Sequence, residues 1–106
     1  MRTTVIVTRL RLGRAQSYAR LHSEIPEHRY RSLLDSGVVS WEIWRYRRVL
    51  IHVIVSAIPF DQLQRCMEDT SEPDTSWDRA ISMHVKRGSS SPRLLWRMDD
   101  TGQTAD

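Results

Sequence analysis

Two side chains that can exchange protons or hydrogen bonds with a small molecule lie four residues apart near the start of the chain. Tyr18 and His22 fall in a strongly helix-forming stretch, so they project from the same face about one turn apart. An imidazole titrates near neutral pH and can accept and release a proton, whereas a phenol donates a hydrogen bond and rarely ionises. The pair is therefore either a hydrogen-bonded feature of the core or a proton-transfer centre.

Three further side chains are candidates for a binding site. His52 lies in the middle of the most apolar stretch, where an imidazole needs a hydrogen-bond partner, so it either lines a polar cavity or pairs within the core. Trp77 follows a Pro-containing loop and either packs in the core or offers an aromatic face to a ligand. Trp41 and Trp44 are three apart, so on a strand they face opposite sides and one can point into a cavity or a partner.

Several kinds of site lack their sequence signature. The four histidines show no metal-binding spacing, such as two histidines four apart beside a glutamate. The four glycines form neither a phosphate loop nor a dinucleotide fingerprint, and no glycine-flanked serine nucleophile occurs. The net charge of +3 comes from arginines scattered among acids rather than from a concentrated basic face. We therefore expect neither a bound metal nor a nucleic-acid partner.

Length and composition indicate one cytoplasmic domain. A chain of 106 residues that is 40% hydrophobic and 27% charged is ordinary for a single globular domain. Its only cysteine, Cys66, excludes an intramolecular disulfide and a cysteine-based zinc site, which fits a reducing compartment. Residues 1–9 have too short an apolar run for a secretory signal, and no segment is long enough to span a bilayer, so we expect no membrane partner.

The pattern of apolar residues predicts the element order β-α-β-β-α-α-β. Strands are expected within residues 3–11 and at 38–46, 49–55 and 94–98, and helices over 14–35, 60–67 and 77–84. Pro26 should kink the first helix, and Pro73 lies in the loop before the last one. A ferredoxin-like α+β fold, one antiparallel sheet with helices on one face, buries these elements economically. Residues 3–98 are expected to form the domain and 99–106 a flexible tail.

The second face of this sheet has no helix left to cover it. Trp41, Trp44, Ile51 and Val53 lie on its strands, and a bare face that carries such side chains would be a large apolar patch. Packing the sheets of two copies against each other would cover that face. A homodimer is therefore expected.

A set of motifs spans most of the chain. It comprises Tyr18-x-x-x-His22-x-x-Ile25-Pro26-Glu27, Leu33, Ser36-Gly37, Trp41-Glu42-Ile43-Trp44, and Trp77 behind an acidic loop. Together these motifs resemble the L-rhamnose mutarotase family, which includes L-fucose-acting relatives, over residues 3–98. The resemblance implies a dimeric α/β barrel that interconverts the α and β anomers of a 6-deoxy sugar without a cofactor.

The resemblance also implies roles for individual residues. His22 takes the position of the family's acid/base histidine, Tyr18 that of a sugar-contacting tyrosine and Trp77 that of a pocket tryptophan. Mutarotation opens a hemiacetal ring and recloses it, which needs one proton delivered to the ring oxygen and one removed from the anomeric hydroxyl. Tyr18, a water molecule and His52 are open as the second proton carrier. The expected monosaccharide site therefore comprises His22 as the catalytic residue, with Tyr18, Trp77, Trp41 and His52 binding substrate.

The identity of the sugar and two other functions stay open. Many family members have adjacent tryptophans where this chain has Ser76-Trp77, and some carry an acidic residue near the segment 45–48. A non-catalytic dimeric ferredoxin-like domain that binds a ligand or another protein is the alternative function. An RNA-recognition domain shares the element order, but the segment 49–55 lacks the glycine and the aromatic residues that such domains use.

Overall fold

The computed structural model describes residues 1–23, 25–70 and 75–105, which contain five strands and four helices. In chain order these elements are β1 (Arg2–Arg9), α1 (Ala15–Ser23), α2 (Glu27–Asp35), β2 (Val38–Tyr46), β3 (Val49–Ser56), α3 (Phe60–Thr70), α4 (Thr75–His84), β4 (Trp96–Asp99) and β5 (Gly102–Ala105). An antiparallel sheet packs against the helices, so the predicted α+β class is confirmed. The predicted loop around Pro73 lies outside the described residues.

The main sheet has three antiparallel strands in the order β1-β3-β2, which places β3 in the centre. The sequence of β3 is apolar on both faces, as a central strand requires. At its midpoint His52 pairs with Ile6 of β1 on one side and with Ile43 of β2 on the other. Arg47 makes the tight turn between β2 and β3 in the left-handed region, at a φ of 55°, because the sequence offers no glycine there.

Pro26 divides the segment that the sequence predicts as one kinked helix. α1 ends at Ser23 and α2 begins at Glu27, with Pro26 extended at the N-cap (φ −55°, ψ 137°). Because the proline lacks an amide hydrogen and its ring clashes with the preceding turn, the chain starts a second helix. Glu24 lies outside the described residues. Gly37 follows α2 at a φ of 109°, a left-handed conformation that glycine adopts easily and that often ends a helix.

The helices cover one face of the main sheet and form two apolar clusters there. The buried residues at their centres are Leu10, Tyr18 and Leu50 in the first cluster and Val38, Ile54 and Leu63 in the second. Leu50 and Ile54 belong to the same strand and point to the same face, with His52 between them. One imidazole therefore interrupts the core where the two clusters meet.

The opposite face of the main sheet is uncovered in the protomer. Its alternate residues include the apolar side chains of Val5, Val7, Trp44, Tyr46, Ile51, Val53 and Val55, and Glu42 lies among them opposite Val53. Trp44 is 62% exposed, whereas Trp41 packs against the second apolar cluster. The prediction that these two tryptophans face opposite sides is therefore confirmed.

The C-terminal strand differs from its predicted position. After α4 the described chain is bridged to β1 at Val7–Ser90 and to the residue that follows β1 at Leu10–Val85. Pro92 follows and lacks the amide hydrogen that an edge strand needs to continue. The strand expected at residues 94–98 begins at Trp96 and pairs with β5 in a separate hairpin. This hairpin occupies part of the segment predicted as a flexible tail.

The hairpin leaves large apolar side chains in contact with solvent. Trp96 is 54% exposed and Met98 is 64% exposed. The hairpin turn is held by Asp99, whose carboxylate accepts a hydrogen bond from the amide of Thr101 at 2.9 Å. Among the helices of residues 1–23, 25–70 and 75–105, none combines the length and the apolar character that a membrane span requires.

Candidate active site

Tyr18 and His22 lie on one face of α1, one turn apart, as their spacing predicts. Their rings are stacked at a tilt, with centroids 4.3 Å apart and planes inclined by 37°. Nδ1 of His22 lies 3.3 Å from the carbonyl oxygen of Tyr18. A carbonyl can only accept a hydrogen bond, so Nδ1 carries the proton and Nε2 is the basic nitrogen of the neutral ring.

The environment of His22 favours its neutral form. Burial lowers the pKa of His22, and the hydrogen bond to the carbonyl of Tyr18 acts in the opposite direction. No group in the described part of the chain makes a hydrogen bond with Nε2. At neutral pH this nitrogen is therefore a free base that can take a proton from a bound molecule and return it.

The hydroxyl of Tyr18 is a second free group beside this base. Tyr18 is only 5% exposed and belongs to the first apolar cluster. Burial raises the pKa of Tyr18 to about 12, so the phenol keeps its proton at neutral pH. Within residues 1–23, 25–70 and 75–105 the hydroxyl has no hydrogen-bond partner. It is thus available to donate to an oxygen atom of a ligand.

Trp77 approaches this pair from α4. Its ring stands edge-on to that of His22, with centroids 5.5 Å apart and planes at 64°. Its indole N–H donates to the carbonyl oxygen of Leu21 at 3.1 Å, which orients the ring and ties α4 to α1. Trp77 therefore serves packing and also forms an aromatic wall next to the imidazole.

His52 is hydrogen-bonded on both sides of its ring. Its Nδ1 accepts from the indole N–H of Trp41 at 3.2 Å, and its Nε2 lies 3.1 Å from the hydroxyl oxygen of Thr8. The Trp41 ring stands edge-on to the imidazole, with centroids 6.1 Å apart. Of the two alternatives that the sequence leaves open for His52, the structure shows the one in which it pairs within the core.

The two imidazoles share one electrostatic environment. Burial lowers the pKa of His52, and the charge of His22 lowers it further. The two rings therefore disfavour being protonated together. In the described ranges, no three His, Cys, Asp or Glu side chains lie close enough together to hold a metal ion.

The five residues predicted for the site fall into two contact groups. Tyr18, His22 and Trp77 form one group, and Trp41 and His52 form the other. Their roles in binding and catalysis stay predictions. Sequence reasoning missed Thr8, whose only signal is a hydroxyl at an inward position of an otherwise apolar strand.

A second feature that the sequence did not predict holds α1 against α4. His84 is 8% exposed, its Nδ1 donates to the carbonyl of Ala80 at 2.6 Å, and its Nε2 is hydrogen-bonded to the hydroxyl of Ser17 at 2.9 Å. These bonds fix the helix that carries Tyr18 and His22 against the helix that carries Trp77. An open groove of about 510 Å³ follows this contact and is lined by Ser17, Arg20, Leu21, Trp77, Ala80 and His84, so of the five predicted site residues it includes Trp77 but not the Tyr18–His22 pair.

A family model and several solved structures match this chain. A family model described as L-rhamnose mutarotase matches residues 3–100. The chain is similar to the solved structure of an L-rhamnose mutarotase from Formosa agariphila, with a TM-score of 0.74 and 14% identity over 93% of this chain and 100% of that one. No curated protein sequence matches the chain.

Two other solved structures share the fold. One is a tetracenomycin F2 cyclase, a type-II polyketide cyclase from Streptomyces glaucescens, with a TM-score of 0.56 and 17% identity over 100% of this chain and 93% of that one. The other is a dimeric ferredoxin-like protein from an uncultured marine organism, with a TM-score of 0.61 and 11% identity over 98% of this chain and 87% of that one. At these identities the likeness concerns the fold alone.

Proposed function

The chain belongs to the L-rhamnose mutarotase family, and we propose that it is a cofactor-free isomerase that interconverts the α and β anomers of a 6-deoxy sugar such as L-rhamnose or L-fucose. His22 is the proton-transfer group. The observation that carries the proposal is the presence of two free groups on stacked rings of α1. These are Nε2 of His22 and the hydroxyl of Tyr18, which have no hydrogen-bond partner among the described residues.

The reaction breaks and re-forms one bond of a cyclic hemiacetal. Nε2 of His22 takes the proton of the anomeric hydroxyl, the electron pair of that O–H bond forms the aldehyde carbonyl, and the bond between C1 and the ring oxygen breaks. The ring oxygen takes up a proton, so the charges balance. Rotation about the C1–C2 bond presents the other face of the aldehyde, and the reverse steps close the ring. Positioned acid–base groups contribute about 10²–10⁴-fold to such a reaction.

The hydrogen bonds of His52 reduce the number of candidates for the second proton carrier. The neutral His52 ring has one proton, which faces the hydroxyl of Thr8 rather than a ligand. Tyr18 keeps its proton because burial raises its pKa to about 12, so it can donate a hydrogen bond to a sugar oxygen. Tyr18 or a water molecule next to it is therefore better suited than His52 to supply the proton of the ring oxygen.

Two tryptophans supply apolar surface to the proposed site. The ring of Trp77 stands beside His22 and is suited to pack on the C–H groups of a sugar while it keeps water from the reacting atoms. Trp41 donates its N–H to His52 and so offers a ligand its ring surface instead of a hydrogen bond. A site walled by tryptophan favours a methyl group on the sixth carbon over a hydroxymethyl group.

We also propose that the protein acts as a homodimer in the cytoplasm. The uncovered face of the main sheet is largely apolar apart from Glu42, and the same face of a second copy would cover it at the usual spacing of packed sheets, about 10 Å. One of the similar solved structures is described as dimeric. The single cysteine of the sequence fits a reducing compartment.

Saturation-transfer NMR of free sugars tests the proposed reaction. We expect the protein to exchange the anomers of L-rhamnose or L-fucose above the buffer rate. Exchange should be slower for L-mannose, which has a hydroxymethyl group where L-rhamnose has a methyl group. If no free sugar exchanges above the buffer rate, the proposal is overturned, and the alternative of a non-catalytic dimeric ferredoxin-like domain is favoured.

A further inference from the structure

Thr8, His52 and Trp41 form a hydrogen-bonded chain across the three strands of the main sheet. In the strand register Thr8 lies opposite Leu50, and Trp41 lies opposite Ile54. Both side chains are therefore diagonal neighbours of His52 on the face that the helices cover. Each neighbouring strand contributes one hydrogen bond, at 3.1 Å from Thr8 and 3.2 Å from Trp41.

The chemistry of the two partners fixes where the proton of His52 lies. An indole N–H can only donate, so Nδ1 of His52 must be the unprotonated nitrogen. The neutral ring then carries its proton on Nε2, which donates to the hydroxyl oxygen of Thr8. A second proton on Nδ1 would face the N–H of Trp41, donor against donor. Protonation of His52 therefore requires the Trp41 hydrogen bond to break.

His22 has the opposite arrangement. Its Nδ1–H donates to the carbonyl of Tyr18, and a further proton on Nε2 displaces no hydrogen bond within the described residues. Among the described residues, the rings that contact it are those of Tyr18 on α1 and Trp77 on α4, and neither is charged at neutral pH. His52 contacts Thr8 on β1 and Trp41 on β2, which do not titrate, and within the part of the chain that the structure describes the charge that lowers its pKa is that of His22.

We propose that Trp41 and Thr8 are positioning residues that hold His52 as the neutral Nε2–H tautomer, so that a proton entering the site resides on His22. The consequence for catalysis rests on the proposed function, because it assigns the exchangeable proton of the sugar reaction to one imidazole. Trp41 and His52 then act through each other rather than by hydrogen bonds to the substrate. Burial and the nearby charge of His22, which both lower the pKa of His52, act in the same direction.

Nitrogen-resolved NMR of the histidine rings in the full chain tests this assignment. In the wild type, His52 should keep a protonated Nε2 and an unprotonated Nδ1 while the pH falls through the titration of His22. Trp41→Phe removes the donor and keeps an aromatic ring. Because a hydrogen bond to the neutral form is lost, the pKa of His52 should rise by about 1, and the pH profile of sugar exchange should gain a second titration step.

The matched control is Trp44→Phe. Trp44 lies on the same strand but on the uncovered face, where its indole N–H donates to Glu42 at 3.3 Å. This variant should leave the titration of His52 unchanged. Thr8→Val provides a second variant, which should speed the exchange of the His52 Nε2 proton with water at least about tenfold because its acceptor is gone.

Three results would overturn the inference: His52 protonated on Nδ1 in the wild type, His52 titrating together with His22 while Trp41 is present, or Trp41→Phe and Trp44→Phe acting alike. The ring spectra are independent of activity. If no sugar exchanges but His52 behaves as expected, the proposed function fails and the tautomer assignment stands. If the sugar anomers exchange but His52 titrates together with His22 in the wild type, the proposed function stands and the tautomer assignment fails.

Discussion

Each face of the main sheet carries one tryptophan of β2, but the surroundings of the two tryptophans differ. His52 and Trp41 lie on the face that the helices cover, where each nitrogen of the imidazole has a partner. Val53 and Trp44, on the same two strands, lie on the uncovered face. Because successive side chains of a strand point to opposite faces, neighbouring residues serve different purposes. The inner face holds polar groups near His22, and the outer face presents mainly apolar surface.

This difference indicates what substitutions on each face should change. A side chain on the inner face affects protonation and ligand contact, because it lies near the imidazoles and is shielded from water. A side chain on the outer face affects association, because nothing in the protomer covers it. The predictions below test that separation, from the largest expected effect to the smallest.

Val53→Glu should dissociate the homodimer. The substitution puts a second carboxylate opposite Glu42, in the middle of the face that the second copy would cover, and burying like charges without a partner is strongly unfavourable. We expect the dissociation constant to rise by more than about 100-fold in sedimentation analysis. Leu34→Glu is the control, since Leu34 is an exposed apolar residue on α2. Equal dimer affinity in both variants would show that the outer face is not the interface.

Tyr18→Phe should slow sugar exchange about tenfold, because one hydrogen bond to the substrate is lost while the ring and its stacking on His22 are kept. Tyr30→Phe, at an exposed tyrosine of α2, should leave the rate unchanged. The rate is measured by saturation transfer with L-rhamnose. A wild-type rate in the Tyr18 variant would remove the phenol from the proposed site.

Ser17→Ala should destabilise the protein by about 1 kcal/mol, because His84 loses its partner between α1 and α4. Ser82→Ala is the matched control, since Ser82 is exposed on α4 and bonds only the carbonyl of Arg79 among the described residues. Urea unfolding of both variants gives the difference. If the two variants were equally stable, the Ser17–His84 bond would contribute nothing to the packing of the helices.

The free energy of unfolding should fall modestly in acid, because His22 and His52 take up protons more readily in the unfolded chain. The pKa values of His22 and His52 are lowered in the folded state. Below about pH 6.5 these two imidazoles therefore bind more protons in the unfolded chain than in the folded chain. Their contribution is complete above that pH and is lost as the pH falls through the folded values. The melting temperature should therefore drop from pH 7 to pH 5, and less steeply in His52→Gln. Equal slopes would contradict this account.

Much of the fold can be predicted because its signals are local. The apolar run of β3 indicates the central strand. Pro26 indicates the break in the first helical segment, and Gly37 marks the end of α2. The last strand was placed less well. Its residues favour extended structure. Whether this strand pairs with β1 or with a following strand depends on distant partners and on Pro92, and a local pattern contains no information about that choice.

The candidate site divides in the same way. Helical spacing alone predicts that Tyr18 and His22 touch, because they are neighbours on one helix. The bond between Thr8 and His52 joins residues 44 positions apart, and it depends on the register of β1 against β3. No spacing rule gives that register. The sequence therefore left His52 undecided between a cavity and the core.

The most direct test of the central claim is anomer exchange by His22→Ala compared with His28→Ala. His28 is an exposed histidine on α2, so its variant controls for the loss of an imidazole as such. The proposed role predicts that exchange of L-rhamnose anomers falls by about 10²–10⁴-fold in the His22 variant and stays at the wild-type rate in the His28 variant. Undiminished exchange in a folded His22→Ala protein would contradict the account.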